Sequence, residues 1–281
     1  MSQQQIASNT QPAARAAERA LTKVPEITIF FWITKILTTA MGEATSDFMN
    51  AALGPAIAVP LMLIGLTVAL KLQFKAPSYN AWNYWFVVVM VAVFGTSAAD
   101  ALHVVLGIAY PVSTAFYLVV LAVVFTAWYR SEKTLSIHSI YTRRREKFYW
   151  WTVFATFALG TAGGDMTATS MHIGYLASGI MFIAIIAVPA VTHRWFGLNS
   201  IFAFWFAYII TRPLGASFAD WLDNPHRLSG LGLGTGPIAL ALAAITMAFI
   251  AYLAATRIDV KQQQPVAPHP HVQPVLDLEL D

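Results

Sequence analysis

Long apolar stretches alternate with short polar breaks along most of the chain. The apolar runs fall at roughly 27–49, 53–72, 83–103, 108–129, 149–168, 174–192, 199–221 and 237–256. A helix crossing the hydrocarbon layer of a bilayer needs about 20 mostly apolar residues. The pattern therefore predicts eight transmembrane helices and no sheet: an all-α, polytopic membrane bundle. The runs come in pairs. Four times a tryptophan is followed ten residues later by a glycine and five residues after that by an aspartate. The instances are Trp32/Gly42/Asp47, Trp85/Gly95/Asp100, Trp150/Gly160/Asp165 and Trp205/Gly215/Asp220. The residue before each aspartate is small: Ser46, Ala99, Gly164, Ala219. A register that never slips marks an internal repeat. The repeats span about 26–75, 81–130, 146–194 and 199–256, each a two-helix hairpin that leaves and returns on one side. Successive copies are then parallel rather than inverted.

Composition agrees with the pattern. The chain is 57% hydrophobic and 11% charged, whereas a soluble domain carries about 25% charged residues. With no cysteine, disulfides, thiolate metal sites and iron–sulfur ligation are excluded. Residues 1–22 lack the apolar core of a cleavable signal peptide.

The net charge of +3 says less than its distribution. Arg15, Arg19 and Lys23 precede the first repeat, and Lys71 and Lys75 follow it. Arg130, Lys133, Arg143, Arg144, Arg145 and Lys147 separate repeats two and three; Arg194 separates three and four; Arg257 and Lys261 follow the last. That is fourteen of seventeen basic residues on one face, against Arg227 alone in the turns within repeats. By the positive-inside rule both termini and the inter-repeat loops are cytoplasmic. Residues 1–25 read as an N-terminal tail, with a short amphipathic helix expected over 12–22. Residues 257–281 read as a disordered C-terminal tail, and 130–148 as the longest ordered loop.

Lys35 and Arg212 are the two basic residues left inside spans. Lys35, Thr38, Thr39, Gly42, Glu43, Ser46 and Asp47 recur at helical spacing and share one face. The other repeats place Gly95, Thr96, Ala99, Asp100 and His103; Gly160, Thr161, Gly164, Asp165 and Ala168; and Thr211, Arg212, Gly215, Ala216, Ala219 and Asp220 on the same stripe. Glycine followed by a small residue four later lets helix backbones approach closely, so Gly42, Gly95, Gly160 and Gly215 are expected at helix contacts. The stripes carry Glu43, Asp47, Asp100, Asp165 and Asp220 against Lys35 and Arg212. Carboxylates in such excess at membrane depth take up protons or hold a cation. Arg212 is expected to reach a carboxylate of another repeat, and Lys35 to point inward as a second compensating charge. Each aspartate lies about 22 Å beyond its tryptophan along a helix. This places the tryptophans at the cytoplasmic interface as belt anchors and the carboxylates toward the other side. His103, three residues after Asp100, could join it in a metal site, although a structural histidine is the commoner role. Gly230 to Gly236 lacks the Lys-Ser/Thr of a phosphate loop and reads as a turn.

The segments KVPEITIFFWITKILTTAMGEATSDF, SEKTLSIHSIYTRRREKFYW, LGTAGGD and ITRPLGASFADWL resemble a family of uncharacterised bacterial membrane-anchored proteins. Its members are described as four tandem two-helix repeats, each with a characteristic tryptophan, under a domain-of-unknown-function label. The resemblance covers about residues 23–256 and implies a bacterial inner-membrane protein, without an activity. Repeat four departs with Arg212-Pro213 and a longer turn, and repeat one with Lys35 and Glu43.

These readings point first to a small cation transporter or exporter, with a divalent metal as candidate substrate and proton coupling left open. Oxygen ligands suit Mg²⁺, Mn²⁺ or Ca²⁺. No cofactor, catalytic residue or nucleic-acid contact is expected. The lipid bilayer is the expected partner, and a homo-oligomer is compatible with the sequence. The alternative is a non-catalytic scaffold, sensor or subunit whose Asp–Arg pairs only lock the bundle. A membrane oxidoreductase is disfavoured because only His103 falls within a span. Pairing discriminates the first two: a scaffold predicts Arg212 and Lys35 each in contact with two or more stripe carboxylates and no cavity left between them.

Overall fold

The computed structural model describes residues 22–104 and 106–260, and these contain eight α-helices and no strand. They are α1 (Ile29–Leu53), α2 (Pro55–Lys75), α3 (Ala81–Val104), α4 (Tyr110–Glu132), α5 (Arg143–Asp165), α6 (Tyr175–Phe196), α7 (Ser200–Asp223) and α8 (Thr235–Thr256). Local sequence explains their limits. The side chains of Thr28, Thr142 and Asn199 accept backbone N–H groups in the first turns of α1, α5 and α7, which satisfies donors a helix leaves open. Each turn within a repeat contains a glycine at positive φ: Gly54, Gly107, Gly174 and Gly234. Other residues adopt that conformation only under strain. Six helices are long and apolar enough to cross a membrane: α2, α3, α4, α6, α7 and α8. Helices α1 and α5 are not among these six; α1 holds Lys35, Glu43 and Asp47, and α5 opens on Arg143 to Lys147.

The odd-numbered helices form a closed inner ring, α1 on α3, α3 on α5, α5 on α7 and α7 back on α1. The repeat glycines make this ring. A Cβ on Gly42 would lie 2.2 Å from that of Ala92, one on Gly95 3.2 Å from that of Phe157, and one on Gly160 2.5 Å from that of Arg212. One on Gly215 would lie 2.0 Å from the Thr39 hydroxyl. In each case the neighbour sits three residues before the glycine of the next repeat. The four copies therefore run parallel at one depth and meet cyclically.

The even-numbered helices wrap the ring, and here the structure corrects the hairpin expectation. Each packs mainly on the first helix of the following repeat: α2 on α3, α4 on α5, α6 on α7, and α8 on α1. Contacts to their own repeat partners are sparse. The exchange lets each outer helix cover a glycine-lined ring helix while its other face stays apolar and exposed, as at Ile57, Ile64, Val119, Ile180 and Leu240.

The end that carries the inter-repeat loops is also more ordered than expected. Arg143 to Lys147 do not belong to a loop; they form the first turns of α5. Arg144 and Arg145 pair with Glu132 across the shortened connection. Lys23 and Asp259 are buried rather than parts of open tails. Lys23 bonds Glu146 at 2.8 Å, and Asp259 accepts the Tyr79 hydroxyl. The helix expected over 12–22 and the tail from 261 onward, with His269 and His271, lie outside the described residues, apart from Thr22.

Candidate functional site

The ring is a stack of layers, because equivalent residues of four parallel repeats lie at one depth. Lowest, near the loop end, each repeat supplies an aromatic pair: Phe31-Trp32, Tyr84-Trp85, Tyr149-Trp150 and Phe204-Trp205. Most of these side chains interlock in the core, with ring centroids 5.0–6.1 Å apart. Trp85, Trp150 and Trp205 are buried, so these three are not belt anchors, while Trp32 is half-buried. The stripe residues are small, and large aromatics fill the ring interior below them. The residue before each tryptophan was missed by the sequence reading, although its aromatic character repeats in the same register. Tyr84 and Tyr149 join hydroxyls at 2.6 Å in this layer.

Next comes Lys35, fully buried with 0% exposure. Its ammonium lies 4.0 Å from the centroid of Phe157 and 4.3 Å from that of Tyr208. It finds no hydrogen-bond acceptor. Its expected role as a partner for carboxylates is corrected accordingly: the side chain ends among aromatic faces, two helical turns from Glu43.

Above it stands Arg212, also at 0% exposure. Its Nη2 donates to Glu43 Oε2 of repeat one, Thr96 Oγ1 of repeat two and Thr161 Oγ1 of repeat three. Glu43, Thr96 and Thr161 occupy the same position, eleven residues after each tryptophan, and Ala216 is the fourth. One guanidinium therefore ties all four repeats at the axis. Gly160 leaves room for its stem, and Thr96 Oγ1 also lies 3.1 Å from Glu43 Oε2.

The carboxylates line the level beyond Arg212, toward the turns within repeats. Glu43 and Asp47, one turn apart on α1, meet Asp220 of α7, with one oxygen from each within 4.8 Å of the others. Asp100 and Asp165 stand outside this triad but within electrostatic reach of Glu43. A sixth acid was missed. Asp223 is 4% exposed, and neither of its carboxylate oxygens bonds another residue. It follows Asp220 by three residues, so the two share a helix face, and it acts electrostatically on both Asp220 and Asp47. That i, i+3 spacing was the available signal. His103 does not join the carboxylates. Its Nδ1 bonds Ile108 O at 2.8 Å and its ring stacks on Tyr110, because α3 ends there and the imidazole closes the turn.

Among the described residues, then, three acids form the cup, Asp100, Asp165 and Asp223 lie within electrostatic reach of it, and Arg212 is the one cation bonded to any of the six. Charges in that excess have to be balanced by protons or by a bound cation. A separate apolar cavity of about 540 Å³ opens between α1, α6 and α7 near Trp32, Pro189, His193 and Phe204. No carboxylate lines it.

Fold and site together define an all-helical repeat protein with membrane-type apolar helices and a buried acidic centre. Four consecutive segments, 30–79, 83–134, 148–197 and 203–259, match the family model described as Repeat of Unknown Function (DUF347). The chain belongs to that family. No curated protein and no solved structure matches it.

Proposed function

We propose that this protein spans the membrane with all eight helices and binds a small, hard cation in the Glu43/Asp47/Asp220 cup as a step in its transport. The charges of α1 and α5 do not oppose spanning. Lys35, Glu43 and the small residues of α1 face the ring interior, and the basic residues of α5 sit in its first turns. The basic excess at the loop end supports cytoplasmic termini, with the cup on the opposite side. One observation carries the cation reading: three carboxylate oxygens already lie within 4.8 Å of one another, beside the unpartnered acid Asp223. Oxygens on opposite sides of a Ca²⁺ ion, each at 2.3–2.6 Å, stand about 5 Å apart, so the spacing suits an ion of that size and needs little closure for Mn²⁺. Oxygen-only ligands favour such metals over softer ones.

The scaffold alternative predicted satisfied cations. Instead Arg212 bonds one carboxylate and Lys35 none. The test is binding of Mn²⁺ and Ca²⁺ to the purified full-length protein, followed by uptake into proteoliposomes. Glu43→Gln and Asp47→Asn keep shape and remove charge, so they should fold and lose both signals. An uncharged amide is cheaper to bury than an unpaired carboxylate. If the wild type binds neither ion, the transport reading gives way to the scaffold.

A further inference from the structure

Glu43 belongs to two groups at once. It is a corner of the carboxylate triad and the anion of the axial arginine. Its described hydrogen bonds all fall on Oε2, from Arg212 and Thr96. Among the described residues the arginine bonds no other carboxylate: its remaining bonds go to the Thr96 and Thr161 hydroxyls and the Thr39 carbonyl. We propose that Arg212 is a built-in rival of the bound cation for Glu43, so that filling the cup loosens the seal across the ring. The inference rests on the cation reading above.

The geometry gives the reasons. A cation drawn in by Asp47, Asp220 and Asp223 takes its fourth carboxylate from Glu43, the residue that holds Arg212. Two like charges then share one carboxylate in a water-poor interior, where their repulsion is strong. Among the described residues the guanidinium is the one group that ties Glu43, Thr96 and Thr161 of three repeats to α7, so weakening its anchor weakens the axial closure. Beneath it lies Lys35, which has no anion of its own. The seal is thus the Arg212 guanidinium, and a cation cannot pass while it holds position. Arg212 also sets selectivity. An ion must outcompete a guanidinium for Glu43, which favours a compact divalent ion over a monovalent one. Linkage makes the effect reciprocal: whatever factor Arg212 takes from cation affinity, the cation takes from the Arg212–Glu43 contact.

The experiment uses the full-length protein in detergent and Mn²⁺ as the probe. Arg212→Gln removes the rival and should tighten Mn²⁺ binding by about tenfold, within the usual range for coupled sites, and admit Na⁺ as a competitor. Thr161→Val leaves every charge in place and removes one hold on the guanidinium, so it should shift affinity the same way by a smaller factor. It decides the matter if Arg212→Gln does not fold. The loosened seal is read separately. The chain has no cysteine, so a thiol reagent reports only an introduced one. Ala216→Cys places it at the fourth position of the axial layer, and saturating Mn²⁺ should raise its labelling rate several-fold. Mn²⁺ binding by the wild type with neither tighter binding in the variants nor faster labelling overturns the rivalry and leaves the cation site standing. No Mn²⁺ binding by the wild type removes both.

Discussion

The closed ring makes a strong claim about one methyl group. Gly215 of α7 faces α1 so closely that a Cβ there would sit 2.0 Å from Thr39 Oγ1, 2.9 Å from Thr39 Cβ and 3.0 Å from the backbone nitrogen of Ala40. Rotating Thr39 away does not relieve the backbone contact. It would also break the bonds of the Thr39 hydroxyl to Ile36 O at 2.6 Å and Thr211 O at 3.2 Å. Gly215→Ala should therefore cost about 1–3 kcal/mol, the range for overpacking a filled interior, and lie near its upper end. Gly163 is the internal control. It lies within α5, and a Cβ there meets nothing nearer than Thr114 Cγ2 at 3.9 Å. Gly163→Ala should gain about 0.5–1 kcal/mol from helix propensity. With roughly 2–4 °C per kcal/mol for a chain of this size, the two alanines should separate by several degrees in thermal unfolding of the detergent-solubilised protein. Thr39→Gly, which vacates part of the contact, should recover some of the loss in the double variant, as expected for residues that touch. Equal midpoints for Gly215→Ala and Gly163→Ala would refute the ring as drawn.

Two further outcomes follow from single buried charges. Lys35→Met replaces an amine without an acceptor by an apolar chain of similar length, so thermal stability should hold or rise; a drop of more than a few degrees would mean that Lys35 is paired in the native state. Burial pushes the Asp259 carboxyl above its ordinary range, although the Tyr79 hydroxyl opposes this. A raised value in the folded state means that the fold holds this proton more tightly than the unfolded chain, so its contribution is present at acid pH and fades as pH rises through the folded value. Asp259→Asn should accordingly gain stability relative to wild type between acid and neutral pH, measured as paired unfolding midpoints, and a constant difference across that range counts against the argument.

Much of the architecture was legible because long apolar helices leave a simple signature in the sequence. Apolar runs of about 20 residues mark helices, and the helix limits differ from the runs by only a few residues except at Arg143. There the positive charges read as loop, whereas Thr142 caps the turn and Glu132 neutralises two arginines. The glycine–aspartate register showed which face turns inward, since only that face combines small residues with charge. It could not show that α2 packs on α3 rather than α1, because both arrangements bury the same stripe. The tryptophans misled for a related reason. Their spacing from the aspartates fits a belt, and only the packing shows them filling the ring below the small residues. Asp223 was overlooked because it has no aspartate counterpart in the other repeats; the equivalent positions hold Asn50, His103 and Ala168.

That last point bears on where function resides. Repetition explains the scaffold: four glycines, four aspartates and four aromatic pairs build a ring that needs no other instruction. A perfect fourfold ring would present four equivalent carboxylates around an axis with nothing to hold it shut. The departures break this equivalence, and they cluster. Lys35 and Glu43 occur only in repeat one, Arg212 and Asp223 only in repeat four, and α1 and α7 are the neighbours that close the ring. Glu43 and Arg212 meet directly there, and Asp223 shares a helix face with Asp220. Selection for packing alone has no reason to place an unpartnered buried acid beside five others, because each such group costs stability unless something binds it. The chain retains that cost where α1 of the first repeat meets α7 of the last, so the α1–α7 seam is where a cation should be sought.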